Sequence, residues 1–231
     1  MRREIVLDTE TTGLQAEGGD RLIEIGCVEL LNRMPTGNEF HVYVNPERDV
    51  PAEASAVHGL TAEMLADKPV FRKVARPFLD FIANDQLVIH NANFDVGFLN
   101  MELRRVSAPL IKTERVVDTL FLARRKHPGG PNTLDALCKR YGIDNSKRTK
   151  HGALLDSLLL AEVYIELLGE RQASMELAQG PDGAGSSGAR NAPPVLQRSN
   201  PLPTRLSEAE AKAHSDFVET LGETALWRRY L

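Results

Sequence analysis

The chain has 231 residues, of which 42% are hydrophobic and 26% are charged, and its formal net charge is −4 at pH 7. This composition supports one full α/β domain with an appendage, and it excludes a fibrous or wholly disordered protein. No apolar run reaches the roughly 20 residues of a membrane span, and the first residues lack a signal-peptide core, so we expect a cytoplasmic protein. The negative charge argues against extensive unaided binding to nucleic acid.

The first strong pattern lies at Ile5–Gly13, where three apolar residues run into two carboxylates, a threonine pair and a glycine. The apolar residues favour a β-strand. Side chains two positions apart in a strand point to the same face, so we expect Asp8 and Glu10 to converge at the strand's end. Two adjacent oxygen-donor anions suit Mg²⁺ or Mn²⁺. The alternative is that Asp8 begins a turn and Glu10 is solvated.

Two further strands are predicted at Leu22–Leu31 and Glu39–Val44. They are connected through Asn32–Asn38, where Pro35 and Gly37 indicate a loop. Together with the first strand they predict an antiparallel meander.

Short helices are expected to follow the meander. The segment Pro51–Gly59 predicts a helix that ends at a glycine cap, and Thr61 is expected to cap a turn that runs to Leu65. Apolar residues at helical spacing predict another helix over Val70–Asn84, which Pro77 should kink or interrupt.

The next part of the chain alternates strands with helices. Predicted strands lie at Leu87–Ile89 and Val116–Val117, and predicted helices at Phe94–Val106, Asp118–Lys126, Thr133–Tyr141 and Gly152–Leu168. Asn132 and Gly142 are expected to cap the third of these helices. Strands first, followed by strands that alternate with helices, predict a mixed sheet flanked by helices.

The composition changes after about residue 178. Residues 179–204 are rich in Gly, Pro, Ser and Asn, which predicts a flexible linker between a domain at 1–178 and a tail at 205–231. The tail begins with a capping box at Ser207 and is too small to form its own core. Its Leu226–Arg228 end predicts an anchor for another protein, since Trp and Arg dominate interface hot spots. The alternative is that the tail folds back on its own domain.

Further candidate site residues lie downstream of the first acidic pair. Asp95 follows a predicted strand whose end can neighbour Asp8, and Asp156 lies on the strongest predicted helix. On one continuous helix His151 and Asp156 would be about 140° apart and would share a face poorly. They can converge if Gly152 begins the helix and His151 lies in the preceding loop.

Three segments in this order resemble a known family, the DEDD exonucleases of the ribonuclease-H-like fold, in the branch with a histidine before the last aspartate. The segments are Asp8–Gly13, His90–Asp95 and His151–Asp156. Leu134–Tyr141 and Ile143–Thr149 add a closer similarity to the proofreading exonucleases of bacterial DNA polymerase III, over roughly residues 3 to 178. The resemblance implies a ribonuclease-H-like α/β fold with a mixed five-stranded sheet.

The resemblance also implies site roles. By it, Asp8, Glu10, Asp95 and Asp156 bind two divalent ions, Mg²⁺ or Mn²⁺, and His151 is the general base. An imidazole with an unperturbed pKa near 6.5 suits that role at neutral pH.

Substrate contacts are implied in the same way. Glu53 and His58 match residues that contact the terminal nucleotide, together with the acids Asp8, Glu10 and Asp156. Without the resemblance, His58 reads as an ordinary histidine at a helix end. His90, one residue past a buried strand, is expected to be structural, and Asp118 and Asp135 to begin helices.

The implied function is a metal-dependent 3′→5′ exonuclease that removes mispaired nucleotides from DNA beside a replicative polymerase. The implied partners are the alpha subunit of DNA polymerase III through residues 205–231, the sliding clamp through Gln172–Leu177, and a small theta-type subunit. Two rivals stay open. One is an RNA-trimming relative of oligoribonuclease type, which would not need the linker and tail. The other is a non-catalytic scaffold, which would not need to keep repelling carboxylates.

Overall fold

The computed structural model describes residues 2–169, 207–222 and 227. The chain divides into two compact units, Met1–Met175 and Glu176–Leu231, which we treat separately. The boundaries predicted at residues 178 and 204 lie outside the described residues. None of the helices within the described ranges is long and apolar enough to cross a membrane.

The first unit is built on a five-stranded mixed sheet with the order β3-β2-β1-β4-β5. The strands are β1 Arg3–Thr11, β2 Leu22–Leu31, β3 Met34–Tyr43, β4 Gln86–Ile89 and β5 Val116–Asp118. The pairs β1–β2 and β2–β3 are antiparallel, whereas β1–β4 and β4–β5 are parallel. The predicted mixed sheet and antiparallel meander are confirmed. Because β1 and β4 run side by side in parallel, their carboxyl ends meet at one edge of the sheet.

Helices flank this sheet. They are α1 Ala52–His58, α2 Ala62–Leu65, α3 Phe71–Ile82, α4 Ala92–Arg105, α5 Thr119–Lys126, α6 Leu134–Tyr141 and α7 Ala153–Leu168. A short 3-10 turn, Thr113–Arg115, precedes β5.

The central strand β1 is buried on both faces. Ile5 and Leu7 pack into a core with Phe78 of α3 and Leu99 of α4. Val6 points to the other face, where it packs in a cluster with buried residues of α7. Burial on both sides explains the continuous apolar run at the start of this strand.

The predicted connection between β2 and β3 was wrong. The turn consists only of Asn32 and Arg33, with φ angles of 49° and 66°, which a two-residue type I′ hairpin requires. β3 therefore begins at Met34 and includes Pro35, which was expected to lie in a loop. The proline is tolerated because β3 is at the edge of the sheet.

Two helix predictions also need correction. Helix α3 runs unbroken from Phe71 to Ile82, so Pro77 does not interrupt it. Helix α6 is capped by Thr133, whose hydroxyl accepts a hydrogen bond from the amide of Ala136, and not by Asn132. The amide side chain of Asn132 instead donates to two carbonyls of the preceding loop.

The second unit contains one described helix, α8, Glu208–Thr220. The predicted capping box of Ser207 with Glu210 is confirmed by both reciprocal hydrogen bonds. Phe217 is 61% exposed, and Trp227 is 58% exposed. The flanking residues of the predicted Leu226–Arg228 anchor lie outside the described residues.

Candidate active site

The two acids of the first motif lie inside β1 rather than beyond its end. The strand continues to Thr11, because Asp8 pairs with Gly26 and Glu10 with Glu24 across the β1–β2 ladder. By alternation, both acids share the face of Val6, which packs against α7. The predicted convergence of Asp8 and Glu10 is explained by this register.

Asp95 reaches the same edge from the start of α4. The helix begins at Asn91, which has left-handed backbone angles (φ 63°, ψ 50°) and donates its amide to the N-cap carboxylate Asp118 of α5 at 3.1 Å. Asp95 lies in the first turn, is 3% exposed, and accepts a 2.7 Å hydrogen bond from the hydroxyl of Thr9. Thr9 thus orients a carboxylate, a role that the sequence did not reveal.

Asp156 is brought to the site by the close approach of α7 to β2. A Cβ built on Gly26 would lie 2.3 Å from the backbone of Ala153 and Leu154, so only glycine allows the helix this near. The hydroxyl of Ser157 also donates to the carbonyl of Gly26 at 3.0 Å. Asp156, in the first helical turn, is consequently 3% exposed beneath the site.

His151 lies in the loop just before α7, as predicted. Its backbone amide donates to the carbonyl of Val57 in α1 at 3.2 Å, which ties the loop to that helix. Its Nδ1 is 3.5 Å from Oδ2 of Asp156, and the ring side chain is 47% exposed. One ligand atom each from Glu10, His151 and Asp156 lies within 4.8 Å of the others.

These groups line one open cleft of about 1240 Å³. One wall comes from the loop after β1 and from α1, and it includes Glu53 and His58; the other comes from α5, α6 and the segment between them. The structure therefore brings all the predicted site residues to a single cleft. They are Asp8, Glu10, Glu53, His58, Asp95, His151 and Asp156.

His58 and His90 differ in their surroundings. His58 is buried and its Nδ1 accepts from the amide of Leu60 at 3.0 Å. Its Nε2 is a buried atom with no hydrogen-bond partner in the described part of the chain. Both ring nitrogens of His90 are engaged, with the hydroxyl of Thr119 and the carbonyl of Asn132, as a structural histidine requires.

The electrostatics of the cleft favour a bound cation. Burial, followed by repulsion from Glu24, Asp156 and Asp95, raises the pKa of Glu10 to about 8. Burial raises the pKa of Asp95 to about 7, although the hydrogen bond from Thr9 opposes that rise. Burial and the neighbouring carboxylates also raise the pKa of Asp8. Crowded acids of this kind hold protons at neutral pH unless a positive charge replaces them.

The donor set fits a divalent metal. It consists of carboxylate oxygens and one imidazole nitrogen, and oxygen-rich sites suit hard ions such as Mg²⁺ and Mn²⁺. The pKa values of Asp8, Glu10 and Asp95 are raised because these acids are buried close together, and a bound cation would lower them again.

Sequence reasoning missed Arg148, a cation that contacts Asp156 directly. Its Nε and Nη2 donate to the two carboxylate oxygens of Asp156, each at 2.6 Å, and its Nη1 donates to Asp135 at 2.8 Å. The only signal was a basic run, in which nothing separates Arg148 from Lys147 and Lys150. Asp135 is in the first turn of α6 as predicted, but it also lines the cleft.

Comparisons with known proteins agree with this geometry. Residues 5–164 match the Exonuclease family of RNase T type. The chain is 44% identical over 222 residues to the DNA polymerase III subunit epsilon of Rickettsia prowazekii, covering 95% of this chain and 96% of that protein. It is 46% identical over 237 residues to the Escherichia coli K12 subunit epsilon, with 98% and 97% coverage.

Solved structures show the same fold. Exonuclease X, in complex with 5′ overhanging duplex DNA, is 29% identical with a TM-score of 0.57, over 72% of this chain and 91% of that one. The nuclease domain of 3′hExo, a DEDDh family member bound to rAMP, is 18% identical with a TM-score of 0.62, over 73% and 92%. The chain therefore belongs to the Exonuclease family and, within it, to the DNA polymerase III epsilon subunits.

Proposed function

We propose that this protein is the proofreading 3′→5′ exonuclease of a bacterial replicative DNA polymerase, and that it hydrolyses 3′-terminal nucleotides from DNA. The observation that carries the proposal is the convergence of four carboxylates and His151 in one cleft. The acids come from β1, α4 and α7, three separate elements. A scaffold would gain nothing from buried carboxylates that raise one another's pKa.

We propose that Asp8, Glu10, Asp95 and Asp156 hold two divalent ions, Mg²⁺ or Mn²⁺. Support comes from the donor chemistry of the four acids and from their shared cleft. When bound, such ions supply the Lewis acidity that activates water at neutral pH and stabilises the leaving oxygen.

His151 is the general base in this proposal. The ring is half exposed to the cleft and has its Nδ1 3.5 Å from Asp156, so it can reach a water molecule among the acids. An imidazole so placed can accept the proton of the attacking water. The tie between the loop and α1 holds the ring beside the cleft.

Glu53 and His58 bind the terminal nucleotide in this proposal. Both line the cleft, and Nε2 of His58 is a buried N–H donor with no hydrogen-bond partner among the described residues. The carboxylates Asp8, Glu10 and Asp156 would hold the ions, and the ions would supply the positive charge that binds the scissile phosphate. A mispaired 3′ end frays more easily than a paired one and so reaches a single-stranded site at lower cost.

Partners follow from the same identification. We propose that residues 205–231 bind the alpha subunit of DNA polymerase III in the cytoplasm, supported by the exposed Phe217 and Trp227 and by the names of the relatives. Binding of the sliding clamp through Gln172–Leu177 also stays a proposal, because that segment lies outside the described residues. Binding of a theta-type subunit stays a proposal as well. By the proposal, residues 179–204 join the exonuclease domain at 1–178 to this tail.

The test is a degradation assay with a 5′-labelled primer whose last nucleotide is mispaired, in DNA and in the same sequence as RNA. We expect stepwise shortening of DNA from the 3′ end with magnesium and none with chelator, and slower shortening of a paired end. Activity confined to short RNA would favour the RNA-trimming alternative. No activity on either polymer with magnesium or manganese would favour the scaffold.

A further inference from the structure

Arg148 is inserted into the active site as an internal cation. Its side chain is 7% exposed, while Asp156, its partner, is 4% exposed at the side chain. The two 2.6 Å hydrogen bonds, from Nε to Oδ1 and from Nη2 to Oδ2, form a bidentate pair. Such charge-assisted pairs are among the strongest in proteins. Both oxygens of Asp156 are therefore directed at a guanidinium.

The same guanidinium also contacts the ring of His151. Nη2 of Arg148 lies 2.9 Å from Nδ1 of His151 and 3.4 Å from its Nε2. These two distances place Nη2 against the ring, so the guanidinium occupies space beside both ring nitrogens. One residue thus restrains both the last carboxylate and the proposed base.

A third contact of Arg148, with Asp135, can hold its guanidinium after it moves away from Asp156. Nη1 donates to Asp135 of α6 at 2.8 Å, and the Asp135 side chain is 56% exposed. Asp135 has no part in the proposed set of metal ligands. The guanidinium can therefore move toward solvent while this contact keeps it beside the cleft.

We propose that Arg148 is the counter-ion of the metal-free site, and that a divalent ion enters only by displacing its guanidinium from Asp156, which frees His151 in the same movement. The inference rests on the proposed function, since it assumes that Asp156 is a metal ligand. Arg148 is a positioning residue here, because it acts through Asp156 and His151. It weakens metal binding, and its guanidinium stays in contact with the His151 ring until metal binds.

The test is calorimetric titration of the full chain with Mn²⁺ in the absence of DNA. We compare the wild type with Arg148→Met, which keeps an unbranched apolar stem but removes the charged guanidinium, and with Arg148→Lys, which cannot form the bidentate pair. Arg76→Met is the matched control, because Arg76 pairs with Asp80 on an exposed helix face. Thermal unfolding in chelator is measured on all four proteins.

We expect Arg148→Met to bind Mn²⁺ about tenfold more tightly, because the ion no longer competes with charge-assisted hydrogen bonds. Arg148→Lys should show a smaller gain that is still more than twofold, and Arg76→Met none. In chelator, Arg148→Met should unfold at a lower temperature, since Asp156 loses its cation. A gain in affinity identifies competition, because structural damage at the site only weakens metal binding.

A change below twofold in Arg148→Met and Arg148→Lys, or weaker binding in either, would overturn the inference while leaving the proposed metal site intact. A wild-type chain that binds no Mn²⁺ would overturn both the inference and the metal site. The two failures are distinguished by the wild-type titration alone.

Discussion

At the scale of single residues, the site is defined by charges that the fold forces together. Glu10 and Asp95 are 8% and 3% exposed, and their neighbours include other acids. Thr9 and Arg148 offset this repulsion by a hydrogen bond to Asp95 and an ion pair with Asp156. The arrangement lowers the stability of the metal-free chain in exchange for metal binding.

This arrangement predicts a pH dependence of metal-free stability. The pKa of Glu10 is raised from 4.5 to about 8 and that of Asp95 from 3.8 to about 7. Between pH 6.5 and 8.5 the folded chain therefore holds protons that the unfolded chain has already released. The free energy of unfolding in chelator should fall by about 2 kcal/mol as pH rises through this window.

Urea unfolding at a series of pH values measures this fall. Glu10→Gln is expected to make the profile less steep, because it removes one of the acids whose pKa is raised in the folded chain. Saturating Mn²⁺ should abolish the fall, since the ion binds the deprotonated carboxylates. The window lies above the ordinary histidine pKa, and the pKa of His58 and His90 is lowered further by burial. Metal-free stability that rises from pH 6.5 to 8.5 would contradict the assignment.

At the scale of elements, the site depends on how closely α7 packs on the sheet. The helix presents Asp156 only because residue 26 of β2 has no side chain. The helix also bonds to β1, where the hydroxyl of Tyr164 donates to the buried Glu4 at 2.8 Å. Asp156 is thus held in place by packing along the whole of α7.

Gly26→Ala is predicted to push α7 away from β2. A new Cβ 2.3 Å from the helix backbone must displace it, at a cost of about 1–3 kcal/mol in stability. Mn²⁺ affinity and exonuclease rate should fall together, because Asp156 moves from the other acids. Gly97→Ala is the matched control. A Cβ at this exposed helical position meets no described residue within 4 Å, so stability should rise by up to about 1 kcal/mol.

Both variants are compared by thermal unfolding and by Mn²⁺ titration. Equal stability and equal metal affinity in Gly26→Ala and Gly97→Ala would show that the close packing is not needed.

Much of this element pattern could be predicted from the sequence, because it depends on local signals. Alternation, glycine caps and the capping box at Ser207 are read over a few residues. The start of β3 could not be predicted from local signals. Asn32 and Arg33 form a two-residue turn only because Met34 pairs with Leu31 in the folded sheet. Pro77 does not interrupt α3, which is continuous from Phe71 to Ile82, and the kink expected there stays a prediction.

The predicted acids and His151 could be named because each lies in a motif. Their supporting residues could not, since each acts on a partner far away in the chain. Thr9 bonds to Asp95 and Gly26 contacts Ala153, so their roles exist only in the folded chain. Arg148 is nearer to its partner, but a basic loop residue is ordinarily solvated.

At the scale of the whole molecule, charge is unevenly distributed. Residues 118–150 contain eight Lys or Arg and three Asp or Glu, although the whole chain has a net charge of −4. This segment supplies α5, α6 and one wall of the cleft. A basic segment beside the cleft fits a DNA substrate, although the chain as a whole is negatively charged.

Arg124 is predicted to hold the DNA strand that leads into the cleft. The residue is exposed, lies on α5 and lines the cleft. Arg124→Gln should weaken binding of single-stranded DNA and reduce the slope of log affinity against log salt by about 0.7, the value for one phosphate contact. Fluorescence anisotropy in chelator measures both, with Arg76→Gln as the control. An unchanged salt slope in Arg124→Gln would contradict this assignment.

The converged acids and His151 are predicted to catalyse hydrolysis from a 3′ end. This prediction is tested by the single-turnover rate of nucleotide release from a mispaired primer, with magnesium, for the wild type, Asp8→Asn and His151→Ala. Asp80→Asn, a change at an exposed surface acid, is the control. We predict losses of about a hundredfold or more in the two site variants and none in the control. Wild-type rates in folded Asp8→Asn or His151→Ala protein would contradict the account.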